Sequence, residues 1–290
     1  MTAPEATGID HVGIVADDLD ALEATFAGLG FAVAPRCALL RPAGEGFEPM
    51  DQLNHHLLLE NGYIELTAMS RRHESHHLAP LIDRYPGLHI LALATVSAEA
   101  SRRVLAARGL APPEVAGAAR EIAYPGASGT ARFRWFRVPE ADAPEAFVCY
   151  CEHLTPELVK RRDLAVHANG VRRLAGMTLC VDDVDAAAAR YARLFGGRPR
   201  GGDGTAVFEL APGRLELTDR GALARRFPGA SPPVLPWAAA LTLEVADIGE
   251  TSGFLRRAGV DLAVSGAGTA WVPAAAAAGV ILELAPPTGE

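Results

Sequence analysis

Residues 9–31 read IDHVGIVADDLDALEATFAGLGF, a short apolar strand followed by a helix whose apolar residues recur every three or four positions. Residues 175–197 repeat this pattern as AGMTLCVDDVDAAAARYARLFGG. Gly176 stands where the first half has His11, so the repeat lacks the histidine. The chain therefore has two related halves that are not chemically equivalent.

Two further copies of the strand–helix unit begin at LHILALAT and at AALTLEV. Each unit continues into segments typical of strands, and Asn61-Gly62 gives the first unit a strong hairpin signal. Four strand–helix–strands units predict an α+β fold made of tandem βαβββ modules. A chain of 290 residues suits two domains, and we predict them at residues 8–160 and 171–287.

Composition excludes several classes of protein. The net charge of −8 argues against a nucleic-acid partner, and no apolar run has the length of a membrane span. The N-terminus lacks the pattern of a signal peptide, and the four cysteines do not form a secreted disulfide framework. We therefore expect a cytoplasmic protein. Lys160 is the only lysine, and this arginine-rich, alanine-rich composition indicates a GC-rich bacterial genome.

All nine histidines lie in the first part of the chain, and none follows His167. Imidazole is the commonest protein ligand for transition metals and the usual acid–base group near neutral pH. The distribution predicts an active N-terminal half and a degenerate C-terminal half.

The opening D-H-V-x-I-x-A-x-D-L of residues 10–19, together with NHHLLLENGYIELTAMS at residues 54–70, resembles the vicinal oxygen chelate superfamily. That superfamily includes glyoxalase I, extradiol dioxygenases, fosfomycin-resistance thiol transferases and bleomycin-binding proteins. The closest resemblance is to its glyoxalase-like domain branch. It implies that the modules pair into curved eight-strand cups, two glyoxalase-like domains in all, and that a metal ion lies inside the cup.

The resemblance also implies where metal ligands lie, on the first and last strands of each paired module. Carried over to this chain, these positions are His11, Glu65, His89 and Glu152. Two histidines with two glutamates resemble a glyoxalase I site, in which a glutamate that leaves the metal acts as the catalytic base. Two histidines with one carboxylate would instead suit Fe(II) and oxygen chemistry.

Each carboxylate position also admits a second interpretation. Glu216 and Glu283 occupy the place of Glu65 in a half without histidines, so this glutamate is also compatible with a structural role. Glu152 is followed by His153, and neighbours on a strand face opposite sides, so only one of the two can enter the cup. Four further residues are predicted to contact substrate: Asn54, His55, Tyr63 and Tyr150.

These observations lead to three hypotheses of function. The first is a metal-dependent, glyoxalase-like lyase or isomerase that chelates a small oxygenated metabolite through two oxygens, with Fe, Zn, Ni, Mn or Co as the divalent ion. The second is an Fe(II) extradiol-type dioxygenase. The third is a non-catalytic small-molecule binding or resistance protein. In each case the expected partner is a small molecule, and a homodimer is left open.

Overall fold

The computed structural model describes residues 8–265 and 268–287. It contains a closed barrel of eight strands, followed in the chain by an open sheet in which seven strands are described. Each sheet combines two strand–helix–strands modules. The predicted fold class, α+β with tandem modules that pair into two curved sheets, is confirmed.

The barrel closes through the strand order β1-β4-β3-β2-β6-β7-β8-β5, in which β1 pairs parallel to β4 and antiparallel to β5. The two modules are therefore joined along their first strands. Its strands are β1 (Gly8–Val15), β2 (Cys37–Ala43), β3 (Gly46–Leu59), β4 (Gly62–Met69), β5 (Gly87–Ala94), β6 (Ala116–Tyr124), β7 (Ala127–Arg137) and β8 (Phe147–His153). Its helices are α1 (Leu19–Gly28), α2 (Ala79–Arg84), α3 (Ala98–Ala107) and α4 (Pro156–Val159), followed by a 3₁₀ turn at Arg162–Leu164.

The second sheet repeats the central part of this arrangement in the order β10-β11-β9-β12-β15-β14-β13. Its strands are β9 (Val171–Cys180), β10 (Thr205–Glu209), β11 (Arg214–Thr218), β12 (Trp237–Val245), β13 (Ala263–Val264), β14 (Ala270–Val272) and β15 (Ile281–Ala285). Its helices are α5 (Val184–Phe195), α6 (Arg220–Arg226) and α7 (Ile248–Arg257), with a 3₁₀ turn at Ala274–Ala276.

The helix after each first strand begins at a side-chain N-cap, which satisfies an otherwise unpaired backbone N–H of the first turn. The four caps are Asp18, Ser97, Asp183 and Asp247. Eight residues before each cap, the ladder between paired first strands has one extra residue, a β-bulge. The bulged residues are Asp10, His89, Ala175 and Ala239. Caps and bulges thus define which residues are equivalent in the four modules.

The two sheets share apolar packing, and the largest buried cluster contains residues of both, such as Ile9 and Leu215. Asn61, at the tip of the first hairpin, donates to the carbonyl of Leu174 and accepts from its N–H, at 2.8 and 2.9 Å. The division into domains at residues 8–160 and 171–287 stays a prediction. No helix in the described part of the chain is both long and apolar enough to cross a membrane.

Candidate functional site

The barrel contains a cavity of about 70 Å³ that opens to solvent. Three of its apolar lining residues are aromatic: Phe133, Trp135 and Phe147. Its polar lining residues are His11, Gln52, Glu65, His77 and Arg120. A concave, mostly apolar space with a few polar groups is typical of a site for a small organic molecule.

Glu65 is buried in this cavity beside a cation that belongs to the chain. The Arg120 side chain, equally buried, places Nη1 3.4 Å from Glu65 Oε1 and also donates to Nε2 of His56. Asn54 Nδ2 donates to the same carboxylate oxygen at 2.5 Å, and Arg120 Nη2 donates to the Tyr63 hydroxyl at 3.3 Å. The carboxylate is therefore both hydrogen-bonded and charge-compensated.

The charges of this cluster follow from its burial. Burial alone would raise the pKa of Glu65, but the adjacent His56 side chain and the positive charge of Arg120 lower that pKa to about 2. Burial lowers the pKa of His56 to about 4, and the nearby Arg120 contributes in the same direction. At neutral pH the cluster thus consists of an anion, a cation and a neutral imidazole.

His11 lies in the same cavity, oriented by a buried carboxylate. Its Nδ1 is 2.8 Å from Oδ2 of Asp10, and its ring stacks on Tyr63 with centroids 4.4 Å apart. Asp10 also accepts from Nε2 of His153 at 2.8 Å and pairs with Lys160 at 3.2 Å. Burial raises the pKa of Asp10, but the hydrogen bonds with both histidines outweigh it and hold that pKa well below its usual value. Because Nδ1 of His11 is held by Asp10, Nε2 is the ring nitrogen left for a ligand.

The structure separates His89 from this site. His89 is the bulged residue of β5, its ring stacks on Tyr85, and its Nε2 donates to the Tyr85 carbonyl at 2.7 Å. Ile90, seven residues before its helix cap as His11 is before Asp18, lines the cavity instead. The sequence register of His11 with His89 is therefore one residue out, and a one-residue shift moves a side chain to the other face of a strand.

Glu152 also lies outside the cavity. The cross-strand partners of the equivalent first-strand positions are Glu65 opposite Gly13, Cys149 opposite Ala92, Glu216 opposite Thr178 and Glu283 opposite Thr242. Cys149, not Glu152, is thus the counterpart of Glu65. Glu152 Oε2 accepts from the N–H of Ala98 at 2.8 Å, at the positive N-terminal end of α3. His153 is the member of the adjacent pair that enters the barrel.

The four predicted substrate contacts divide in the same way. Asn54 and Tyr63 lie inside the barrel, where they hydrogen-bond Glu65 and Arg120. His55 points outward, with Nδ1 donating to the carbonyl of Ala34 at 2.8 Å. Tyr150 also faces outward, because its hydroxyl donates to the carbonyl of Leu194 at 3.3 Å. Alternation along the strands places both outside the cavity.

The donors at the superfamily's metal positions do not fit a divalent ion in this chain. His11 and Glu65 supply donor atoms there, whereas in the second module Ile90 supplies none and Cys149 offers a buried thiol, whose pKa burial raises. Glu65 is in addition paired with a guanidinium, which would repel a dication. Elsewhere in the described part of the chain, one group of potential ligands is found, in which the donor atoms of Asp10, Cys151 and His153 lie within 4.8 Å of one another. The divalent metal stays a prediction.

The second sheet pairs its equivalent glutamates with an arginine as well. Arg226 of α6 contacts the carboxylates of both Glu216 and Glu283, and its Nε lies 2.9 Å from Glu283 Oε1. Thr242 donates to the same carboxylate at 2.7 Å. The predicted degenerate half therefore has an internal ion-pair cluster at the position of the first barrel's site.

The chain belongs to the glyoxalase-like domain family, whose sequence model matches residues 9–195. This match confirms the resemblance to the vicinal oxygen chelate superfamily. A search of curated protein sequences finds no match.

Solved structures show the same fold over nearly the whole chain. A hypothetical protein from Staphylococcus aureus aligns with a TM-score of 0.65 at 12% identity, over 96% of this chain and 99% of that one. A xylose isomerase-like TIM barrel/4-hydroxyphenylpyruvate dioxygenase fusion protein aligns with a TM-score of 0.62 at 14% identity, over 99% of this chain and 51% of that one. A mutant 4-hydroxymandelate synthase from Streptomyces coelicolor aligns with a TM-score of 0.59 at 13% identity, over 98% of this chain and 94% of that one. At these identities the likeness shows the fold alone.

Acid is expected to destabilise the protein between pH 6.5 and 4. Burial lowers the pKa of His56, His77 and His89 to about 4 each, so the unfolded chain takes up protons first as the pH falls below about 6.5. Each histidine then loses up to about 3 kcal/mol of its contribution to stability. Melting temperatures at pH 7.5 and 4.5 should show this fall, and His89→Leu should reduce it. An unchanged difference in that variant would contradict the neutral, buried state of His89.

Proposed function

We propose that the barrel cavity binds a small oxygenated metabolite and transfers a proton on it, as a lyase or isomerase, with His11 as the base. The observation that carries the proposal is the Asp10–His11 pair, in which a buried carboxylate holds Nδ1 and leaves Nε2 free to accept a proton. His–carboxylate pairs fix the tautomer and orientation of a general base in this way. The aromatic walls and open mouth of the cavity fit a small organic ligand.

The reaction step involves a carbon next to a carbonyl group. The C–H proton moves to Nε2 of His11, the C–H electrons form a carbon–carbon double bond, and the carbonyl becomes an oxyanion. The guanidinium of Arg120 lines the same cavity and supplies the positive charge that stabilises such an oxyanion. Return of the proton to the opposite face of the same carbon inverts that centre. Where this carbon carries a hydroxyl group, return of the proton to the former carbonyl carbon, with transfer of the hydroxyl proton to the oxyanion, completes the isomerisation of a hydroxyketone to a hydroxyaldehyde.

Hydrogen–deuterium exchange tests this class of reaction before the natural substrate is known. The protein is incubated in deuterium oxide with hydroxyacetone or with phenacyl alcohol, its phenyl analogue, and proton NMR follows the signals of the carbon-bound hydrogens next to the carbonyl. We expect loss of these signals faster than in buffer, and faster for phenacyl alcohol because of the aromatic walls. Rates equal to buffer for both compounds, and for other small hydroxyketones, would contradict proton transfer and favour a binding protein.

A metal-dependent enzyme is the second candidate, because Asp10, Cys151 and His153 bring three potential donors together. Elemental analysis of protein purified without added metal separates the two. One equivalent of metal that is lost in Cys151→Ser but kept in Cys149→Ser would identify this group as the site. Cys149 is the matched control because it lines the same cavity two residues away on the same strand.

A further inference from the structure

We propose that Arg120 takes the place of the superfamily's metal ion, and that removing its charge turns the cavity into a divalent-metal site. The proposal concerns metal binding only and stands independently of proton transfer. It begins from register, because Glu65 is the last-strand residue opposite Gly13, at the position that the resemblance assigns to a ligand. In this chain the positive charge that meets it comes from the neighbouring module's β6.

The second sheet supports the proposal independently. Glu216 and Glu283 hold the same register position, and Arg226 pairs with both. The two arginines come from different elements, Arg120 from a strand and Arg226 from helix α6. Common ancestry of the modules therefore does not explain the shared pairing, whereas the need to compensate a buried carboxylate does.

Removal of Arg120 would leave two donors close enough to share one ion. His56 Nε2 lies 3.6 Å from Glu65 Oε1, and two donors on one tetrahedral zinc ion are about 3.4 Å apart. His11 lines the same cavity, but it does not form a compact three-residue ligand group with His56 and Glu65 in the described structure, so its side chain must move to become a third ligand. A neutral side chain at position 120 would remove both the repulsion of a dication and the hydrogen bond that now uses His56 Nε2. Two imidazoles and one carboxylate with open positions form a ligand set that binds divalent transition metals.

The test is a calorimetric titration with Co²⁺ and with Zn²⁺ of five proteins: wild type, Glu65→Gln, Arg120→Met, Arg120→Lys and the double variant Arg120→Met with Glu65→Gln. Methionine keeps the apolar packing on Phe133, over which the guanidinium lies at 4.6 Å. We expect Arg120→Met to bind one equivalent of metal ion that wild type binds at least about 10-fold more weakly, because in the variant a dication no longer faces a fixed cation. Arg120→Lys and the double variant should lack this equivalent.

The cavity-lining His77, with His76 and His73 in ring contact beside it, is a separate source of weak binding, which is common to all five proteins and cancels in the comparison. A folded Arg120→Met protein without the extra equivalent would overturn the proposal. So would wild-type binding that Glu65→Gln abolishes, because the metal would then be held despite Arg120. If Arg120→Met does not fold, Arg120→Gln replaces it, and the wild-type comparison with Glu65→Gln decides in either case.

Discussion

Replacing His11 by glutamine is expected to slow deuterium exchange of the hydroxyketone probes by at least about 100-fold, the usual contribution of a general base. Glutamine keeps a polar side chain of similar length but has no nitrogen that accepts a proton near neutral pH. The effect should appear in the rate at saturating probe, because the aromatic walls that bind the probe are unchanged.

His89→Gln is the matched control for this experiment. The sequence gives both histidines the same predicted role, yet only His11 lines the cavity, while His89 is held against Tyr85. We expect His89→Gln to retain the wild-type exchange rate. Equal losses in the two variants would contradict the placement of the site, and equal retention would show that His11 is not the base.

Replacing Arg226 by leucine is expected to lower the free energy of unfolding by about 3 kcal/mol or more, as is usual when one partner of a buried ion pair is removed. Both carboxylates that Arg226 contacts are largely buried, with side chains 13% and 8% exposed for Glu216 and Glu283. Without the guanidinium they remain close together as uncompensated charges. Urea denaturation followed by circular dichroism measures the loss.

Two further variants define its cause. Arg225→Leu removes the neighbouring arginine, which is exposed and donates to the carbonyl of Asp203. This variant should therefore lower the free energy of unfolding by only about 0.5 kcal/mol. Adding Glu283→Gln to Arg226→Leu should recover part of the stability by removing one of the two charges. Similar losses for Arg225→Leu and Arg226→Leu would show that the internal cluster has no special role in folding.

Much of the fold was predictable because it repeats. The four strand–helix units are visible in the apolar pattern, and the match of Gly176 with His11 holds in the structure, since each lies seven residues before its helix cap. The register of Glu65 with Glu216 is also found, because both stand opposite equivalent first-strand residues. Such matches depend on local spacing, which a sequence contains.

The second module of the barrel shows where local matching ends. His11 and His89 are 78 residues apart, whereas the caps Asp18 and Ser97 are 79 apart, so alignment on the caps would have matched His89 with the bulged Asp10. The place of His56 in the site was also predictable, because alternation along β3 puts it on the same face as Asn54. The place of Arg120 was not predictable, since its contact with Glu65 joins strands whose side chains meet only when the barrel closes.

The most direct test of the account is the rate of deuterium exchange into phenacyl alcohol by protein from which metal has been removed with a chelator. If His11 and Arg120 act as the chain's own base and cation, the exchange rate of the metal-depleted protein should equal that of untreated protein. Added Fe²⁺, Zn²⁺, Ni²⁺, Mn²⁺ or Co²⁺ should not increase it. Loss of exchange on chelation, with recovery when one of these ions is returned, would contradict the account and establish a metal-dependent enzyme.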